Sequence, residues 1–151
     1  MPTNVKYVHT NLVARDWRLL AAFYVKVFQC KAKPPERNLK GEWLDTLTGI
    51  KNSRIKGMHL SLPGYGEKGP TLEIFQYSRK VQVELPKINR PGFAHIAFSV
   101  RNVKQVLSKV ERNGGSKVGN VVSSQIDGVG PINVVYARDP EGNIIELQKW
   151  G

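Results

Sequence analysis

The sequence predicts an α+β protein made of two βαβββ modules, forming a cleft between curved mixed sheets. Three observations lead there. The first is an internal repeat. Val8-His9-Thr10-Asn11-Leu12-Val13-Ala14-Arg15-Asp16 lies over Ala94-His95-Ile96-Ala97-Phe98-Ser99-Val100-Arg101-Asn102, with His on His, Leu12 on Phe98, Ala14 on Val100, Arg15 on Arg101 and Asp16 on Asn102. The second is that both stretches run into a helical period: Leu20, Phe23, Tyr24, Val27 and Phe28 in one copy, and Val103, Val106, Leu107 and Val110 in the other. The third is that the copies end alike. Leu72-Glu73-Ile74 matches Ile145-Glu146-Leu147, and Tyr77 and Trp150 stand at the same distance beyond the Glu.

Each element has a local reason. Asp16 and Asn102 are good helix N-caps, because a short side-chain oxygen accepts from the first free backbone N–H groups. Asn113-Gly114-Gly115 stops the second helix, and the first ends near Gln29-Cys30, sealed by Pro34-Pro35. Two further strands fit between each helix and its last strand. They are expected around Trp43 to Thr48 and Met58 to Leu62 in the first copy, and around Val118 to Ser123 and Ile132 to Arg138 in the second. Asp139-Pro140-Glu141-Gly142-Asn143 reads as a tight hairpin turn. The chain 1–151 is therefore read as one domain, with residues 1–78 as the first module, 79–91 as a linker punctuated by Pro86 and Pro91, and 92–151 as the second module.

Composition narrows the function classes. A chain of 151 residues with 40% apolar content can build a real core. No apolar run approaches the roughly 20 residues of a membrane helix. Met1-Pro2-Thr3-Asn4-Val5-Lys6 lacks the apolar centre of a signal peptide, and the single Cys30 excludes an internal disulfide, so a cytoplasmic protein is expected. The net charge of +11 comes from scattered Lys and Arg without long basic runs or a nucleic-acid-binding motif. Nucleic acid is not an expected partner, nor is a membrane; an anionic small substrate is one reading of the charge, and a merely basic surface is the other.

Strand alternation sorts the polar residues. Ile96, Phe98 and Val100 share one face, which suits packing under a helix, and His95, Ala97 and Ser99 share the other. Ile145 and Leu147 oppose Glu146 and Gln148, and Leu72 and Ile74 oppose Glu73. His9, Glu73, His95 and Glu146 thus project away from the helices at equivalent places in the repeat. Carboxylates gathered in one cleft need a compensating charge, and a divalent cation supplies it; imidazole and carboxylate donors suit zinc, nickel, cobalt, manganese or iron. Taken singly, each of these residues also has a local reading as a capped histidine or an exposed edge glutamate.

These same stretches resemble the vicinal oxygen chelate superfamily, the group of glyoxalase I, methylmalonyl-CoA epimerase, bleomycin-resistance proteins and extradiol dioxygenases. The resemblance spans nearly the whole chain. It is carried by Val8-His9-Thr10-Asn11-Leu12 with Ala22-Phe23-Tyr24, by Leu72-Glu73-Ile74, by Gly92-Phe93-Ala94-His95-Ile96-Ala97-Phe98, and by Asp139-Pro140-Glu141-Gly142-Asn143-Ile144-Ile145-Glu146-Leu147. It implies paired βαβββ modules and one divalent metal that chelates adjacent oxygens of a substrate. The His-Glu-His-Glu set is most similar to that of glyoxalase I, and the epimerase carries Gln where this chain has Glu73. Val13 and Tyr77 stand where glyoxalase I carries contacts to glutathione, so glutathione is not expected as a cosubstrate.

The activity implied is proton abstraction next to a carbonyl of a small substrate, as in an isomerase, epimerase or lyase. The resemblance makes Glu146 the first candidate for the base and Glu73 the second. The alternatives are an antibiotic-sequestering protein and an iron-dependent extradiol-type dioxygenase. His59, Ser61, Asn11, Ser99 and Gln148 are candidates for lining the substrate cleft. For His59 the favoured reading is a strand histidine satisfied by a backbone group or water, with substrate orientation or proton shuttling as the other. Trp17 and Tyr24 are expected in the core; Glu42, Trp43 and Asp45 are expected on the solvated edge of the second strand. A single module would expose its strand edges, and twofold assembly is common, so a homodimer is expected.

Overall fold

The computed structural model describes residues 4–151. The reading of the N-terminus as no signal peptide rests partly on residues 1–3, which lie outside the described residues. The chain divides into two compact units, one ending at Gln82 and the other beginning at Val83.

In the first unit, β1 (His9–Val13) leads to α1 (Trp17–Phe28), followed by β2 (Lys31–Lys40), α2 (Glu42–Thr48), β3 (Arg54–Ser61) and β4 (Thr71–Tyr77). The sheet order is β1-β4-β3-β2, with β1 parallel to β4 and the other pairs antiparallel. The Asp16 carboxylate accepts from Arg18 N and Leu19 N and starts α1, and Gln29 closes it in the left-handed conformation. The helix buries Leu20, Phe23, Tyr24, Val27 and Phe28, and the sheet beneath contributes Ile55, Leu60, Leu72 and Ile74. Trp17 and Tyr24 are core residues, as expected. At Gly57 the backbone of β3 passes so close to β4 that a Cβ would come within 2.0 Å of the Ile74 carbonyl oxygen.

Two expectations fail in this unit. Trp43 to Thr48 is not a strand but α2, which buries Leu44; Asp45 accepts from Asn52 N and Ser53 N, so it is a loop anchor rather than an edge carboxylate. The missing strand is β2, at Lys31–Lys40, where Pro34-Pro35 interrupts the register between Lys33 and Arg37 instead of ending the element. Proline lacks an N–H, and β2 is an edge strand, so the ladder tolerates the interruption.

In the second unit, β5 (His95–Ser99) leads to α3 (Val103–Arg112), then β6 (Ser116–Lys117), β7 (Val122–Ile126), β8 (Gly130–Arg138) and β9 (Ile144–Trp150). The order is β5-β9-β8-β6, with β7 also paired to β8 and β5 parallel to β9. Asn102 caps α3 through Gln105 N. Val103, Leu107 and Val110 are buried, as are Val135, Ala137, Ile145 and Leu147 of the sheet. The strand expected from Val118 to Ser123 is broken: β6 and β7 occupy successive stretches of the same edge of β8. Asp139, 2% exposed, holds the β8–β9 turn by accepting from Glu141 N, Asn143 N and Asn143 Nδ2, and Gly142 completes it at φ 90°.

Cys30 is buried, and burial pushes its thiol from 9.0 up to about 11. It is expected to resist thiol reagents at pH 8 in the folded chain and to react once the chain is unfolded; equal labelling rates in the two states would contradict this. The folded thiol keeps its proton where the unfolded one loses it. This contribution to stability is therefore intact below pH 9 and is lost as the pH rises through about 11.

Candidate metal centre

In the first unit, pairing puts a polar set on the sheet face away from α1. β1 and β4 align Asn11 with Glu73 and His9 with Thr71, and the β3–β4 hairpin sets His59 opposite Glu73 and Ser61 opposite Thr71. Residues aligned in this way point to the same side. Leu60, Leu72 and Ile74 take the other side and are buried.

Glu73 is the hub. It is 9% exposed, and both of its oxygens are engaged. Oε1 accepts from Asn11 Nδ2 at 2.9 Å and lies 3.4 Å from His9 Nε2; Oε2 lies 2.6 Å from His59 Nε2. The rings of His9 and His59 meet edge to face, with centroids 5.4 Å apart. His9, His59 and Glu73 each offer one donor atom, and these atoms lie within 4.8 Å of one another. On the other side of the His59 ring, Nδ1 lies 2.8 Å from Thr71 Oγ1. That contact fixes the ring and leaves Nε2 directed at Glu73, the kind of support that orients a metal-binding imidazole. Burial holds His59 below the ordinary imidazole range; the charges of Arg37 and His9 act in the same direction, and Glu73 opposes them.

The second unit repeats the His–Glu pair but not its partners: Ala97 is aligned with Glu146 where Asn11 is aligned with Glu73, and Ile144 with His95 where Thr71 is aligned with His9. His95 Nε2 lies 2.9 Å from Glu146 Oε2. Tyr136 is aligned with Glu146 on the neighbouring strand, and its ring centroid is 5.0 Å from that of His95. Tyr136 therefore holds the place that His59 holds in the first unit. Ser99 aligns with Gln148, whose Oε1 accepts from Trp150 Nε1 at 2.8 Å.

Within its own unit, then, each expected His–Glu pair meets: His9 with Glu73 and His95 with Glu146. Of the expected cleft residues, Asn11 and His59 bind Glu73 directly, and Ser61 shares their face. The favoured reading of His59 is corrected: side chains, not backbone or water, engage both of its ring nitrogens. Sequence reasoning also passed over Tyr136. Its signal was available, since both His59 and Tyr136 precede the Glu strand by one hairpin, but the hairpin loops differ in length and hide the equivalence.

The family model for the Glyoxalase/Bleomycin resistance protein/Dioxygenase superfamily matches residues 6–147. The chain belongs to this superfamily. Among solved structures similar to it, a glyoxalase family protein from Bacillus cereus has a TM-score of 0.82 at 18% identity, covering 99% of this chain and 96% of that one. A glyoxylase/bleomycin resistance protein/dioxygenase domain from Frankia sp. gives a TM-score of 0.60 at 18% identity, with coverage of 99% and 100%. A virulence protein from Salmonella typhimurium gives 0.57 at 22% identity, again covering 99% and 100%. At these identities the likeness concerns the superfamily fold. No curated protein matched the chain. The superfamily assignment and the observed donors agree on one point: imidazole nitrogens facing carboxylate oxygens in a half-buried cluster are a fitting set for a divalent transition metal.

Among the described residues, no helix is long and apolar enough to cross a membrane.

Proposed function

We propose that this protein is a divalent-metal-dependent enzyme that moves a proton next to a carbonyl of a small substrate, with His9, Glu73, His95 and Glu146 as metal ligands. The observation that carries the proposal is the His9–His59–Glu73 cluster, repeated in part by His95 and Glu146. The bound metal would supply a Lewis acid that favours negative charge on the substrate oxygen. Glu146 acts as the base. Its carboxylate takes the proton from the carbon beside the carbonyl as the C–H electron pair moves toward the oxygen. Return of that proton to the neighbouring carbon gives an isomer; delivery of a proton to the opposite face of the same carbon by the second carboxylate, Glu73, gives an epimer. His95, whose Nε2 lies 2.9 Å from Glu146 Oε2 and whose ring packs against Tyr136, would share the ion with that carboxylate. Thr71 and Glu73 hold His59 at the edge of the cluster, where it positions Glu73.

Elemental analysis tests the ligand set. The wild-type chain is expected to retain one divalent ion per pair of modules, and His95→Ala to bind it at least about 10- to 100-fold more weakly, the loss seen even for removal of indirect ligand partners. Equal metal content in both proteins would remove His95 from the site.

One observation favours a second reading. Two histidines and one carboxylate within the first unit have the donor composition of non-haem iron(II) oxygenases. Oxygen uptake that depends on added iron(II) would select that reading over proton transfer.

A further inference from the structure

The first unit carries a cavity of about 340 Å³ beside the metal-binding cluster, with His59 and Thr71 in its wall. Four cationic side chains, Lys6, Lys33, Arg37 and Lys68, line the same cavity, and among the described residues no carboxylate does. The volume lies at the lower end of small-molecule pockets, about 300–1,000 Å³.

Cations on a protein surface are ordinarily neutralised by neighbouring acids or simply solvated. Arg18 shows the first case in this unit: its guanidinium forms a two-pronged pair with Glu36 at 2.9 and 3.0 Å. The cavity differs. Lys33 Nζ donates to the backbone carbonyl of Glu67 at 3.2 Å, and Arg37 Nη1 donates to the backbone carbonyl of Pro35. Carbonyl contacts hold both side chains in place, and neither has an ion-pair partner among the described residues. Both residues lie on β2, flanking the interruption made by Pro34 and Pro35, which sets them around the cavity. Like charges converging without an acid among them is an arrangement that a bound oxyanion would relieve.

We propose that this cavity binds the phosphate-like or carboxylate end of a small anionic substrate, whose reacting oxygens then reach the His9–His59–Glu73 cluster. The substrate class is thus an oxyanion-bearing carbonyl compound. This rests on the metal-centred reading above for where the reaction takes place, but the oxyanion site itself does not need the metal.

The test uses the full chain and inorganic phosphate as the probe, with acetate as the carboxylate arm, titrated calorimetrically at constant ionic strength. Saturable phosphate or acetate binding is expected, and the tighter of the two identifies the anion type. Lys33→Gln combined with Arg37→Gln should weaken binding at least about tenfold, a change of about 1.4 kcal/mol. Lys33 is exposed and Arg37 half-buried on an edge strand, and neither belongs to the apolar core, so the fold should tolerate their loss. Arg37→Lys, which keeps the charge, should stay within about threefold of wild type. The control is Lys104→Gln with Lys149→Gln, which removes the same charge from a separate cavity on the second unit and should change affinity by about twofold at most. Glu73→Gln, expected to lose metal, should keep phosphate binding within about threefold. Equal losses in the two double variants would overturn the proposal, since they would mean diffuse electrostatic attraction. Loss of phosphate binding in Glu73→Gln, or no saturable binding in the wild type, would overturn it too. Phosphate binding that follows the cavity variants in a chain that holds no metal would uphold the oxyanion site and dismiss the metal reading.

Discussion

Replacing Glu73 by alanine is expected to empty the candidate centre of metal and to lower turnover by about 10²- to 10⁴-fold, the range typical of a missing acid–base or ligand group. The size follows from what Glu73 touches. Its Oε1 meets Asn11 and His9, and its Oε2 meets His59, so one deletion leaves three side chains without their common partner. His59 and Thr71 are then left inside a partly buried cluster with one ring nitrogen unsatisfied, which costs about 1–3 kcal/mol. Glu73→Gln separates the two effects. The amide preserves shape and can still hydrogen-bond, so the fold should be retained, but it cannot bind a divalent ion as a carboxylate does. The check is elemental analysis beside turnover, measured on whichever thioesters or 2-oxo compounds the wild type processes. A Glu73→Gln chain with normal metal content and normal turnover would exclude Glu73 from the site.

Leu60→Ala is expected to destabilise the chain by about 2–5 kcal/mol, a large share of the 5–15 kcal/mol available to a domain. Leu60 is fully buried and sits opposite Leu72 on the helix side of the first sheet, one residue away from His59. Truncation removes transfer energy and leaves a void beneath α1, where Tyr24 and Leu20 are also fully buried and leave little freedom to collapse into it. Denaturant melts of wild type and variant measure the difference. Leu19→Ala is the matched control, since Leu19 on the same helix is 66% exposed and its loss should stay within about 0.5 kcal/mol. A Leu60→Ala cost no larger than the control's would show that this side of the sheet is not the core.

Much of the molecule could be read from neighbouring residues alone. The repeat, the caps at Asp16 and Asn102 and the helical periods depend on local geometry, and the structure has each of them in place. Alternation within single strands put His9, Glu73, His95 and Glu146 on the faces away from the helices, because consecutive side chains in a strand must point to opposite sides. The errors came where composition misleads. Pro34-Pro35 looked like a terminator and turned out to interrupt an edge strand, and Trp43 to Thr48 carries enough β-branched and aromatic residues to look like a strand although it forms a short helix over the buried Leu44.

The sequence by itself determined the superfamily, the two-module plan and the facing of each His and Glu. Tertiary structure alone decided which residues join them. His59 reaches Glu73 only because β3 and β4 pair in the register that sets those two opposite each other, and a slip of one residue would have turned His59 toward α1. Lys33 and Arg37 come to the cavity with Lys6 and Lys68 only through pairing of β2 with β3 and the chain's return past Gly69. Facing is a property of one strand and can be read along it. Register and convergence belong to pairs of segments distant in sequence, and the packing of the whole unit selects them.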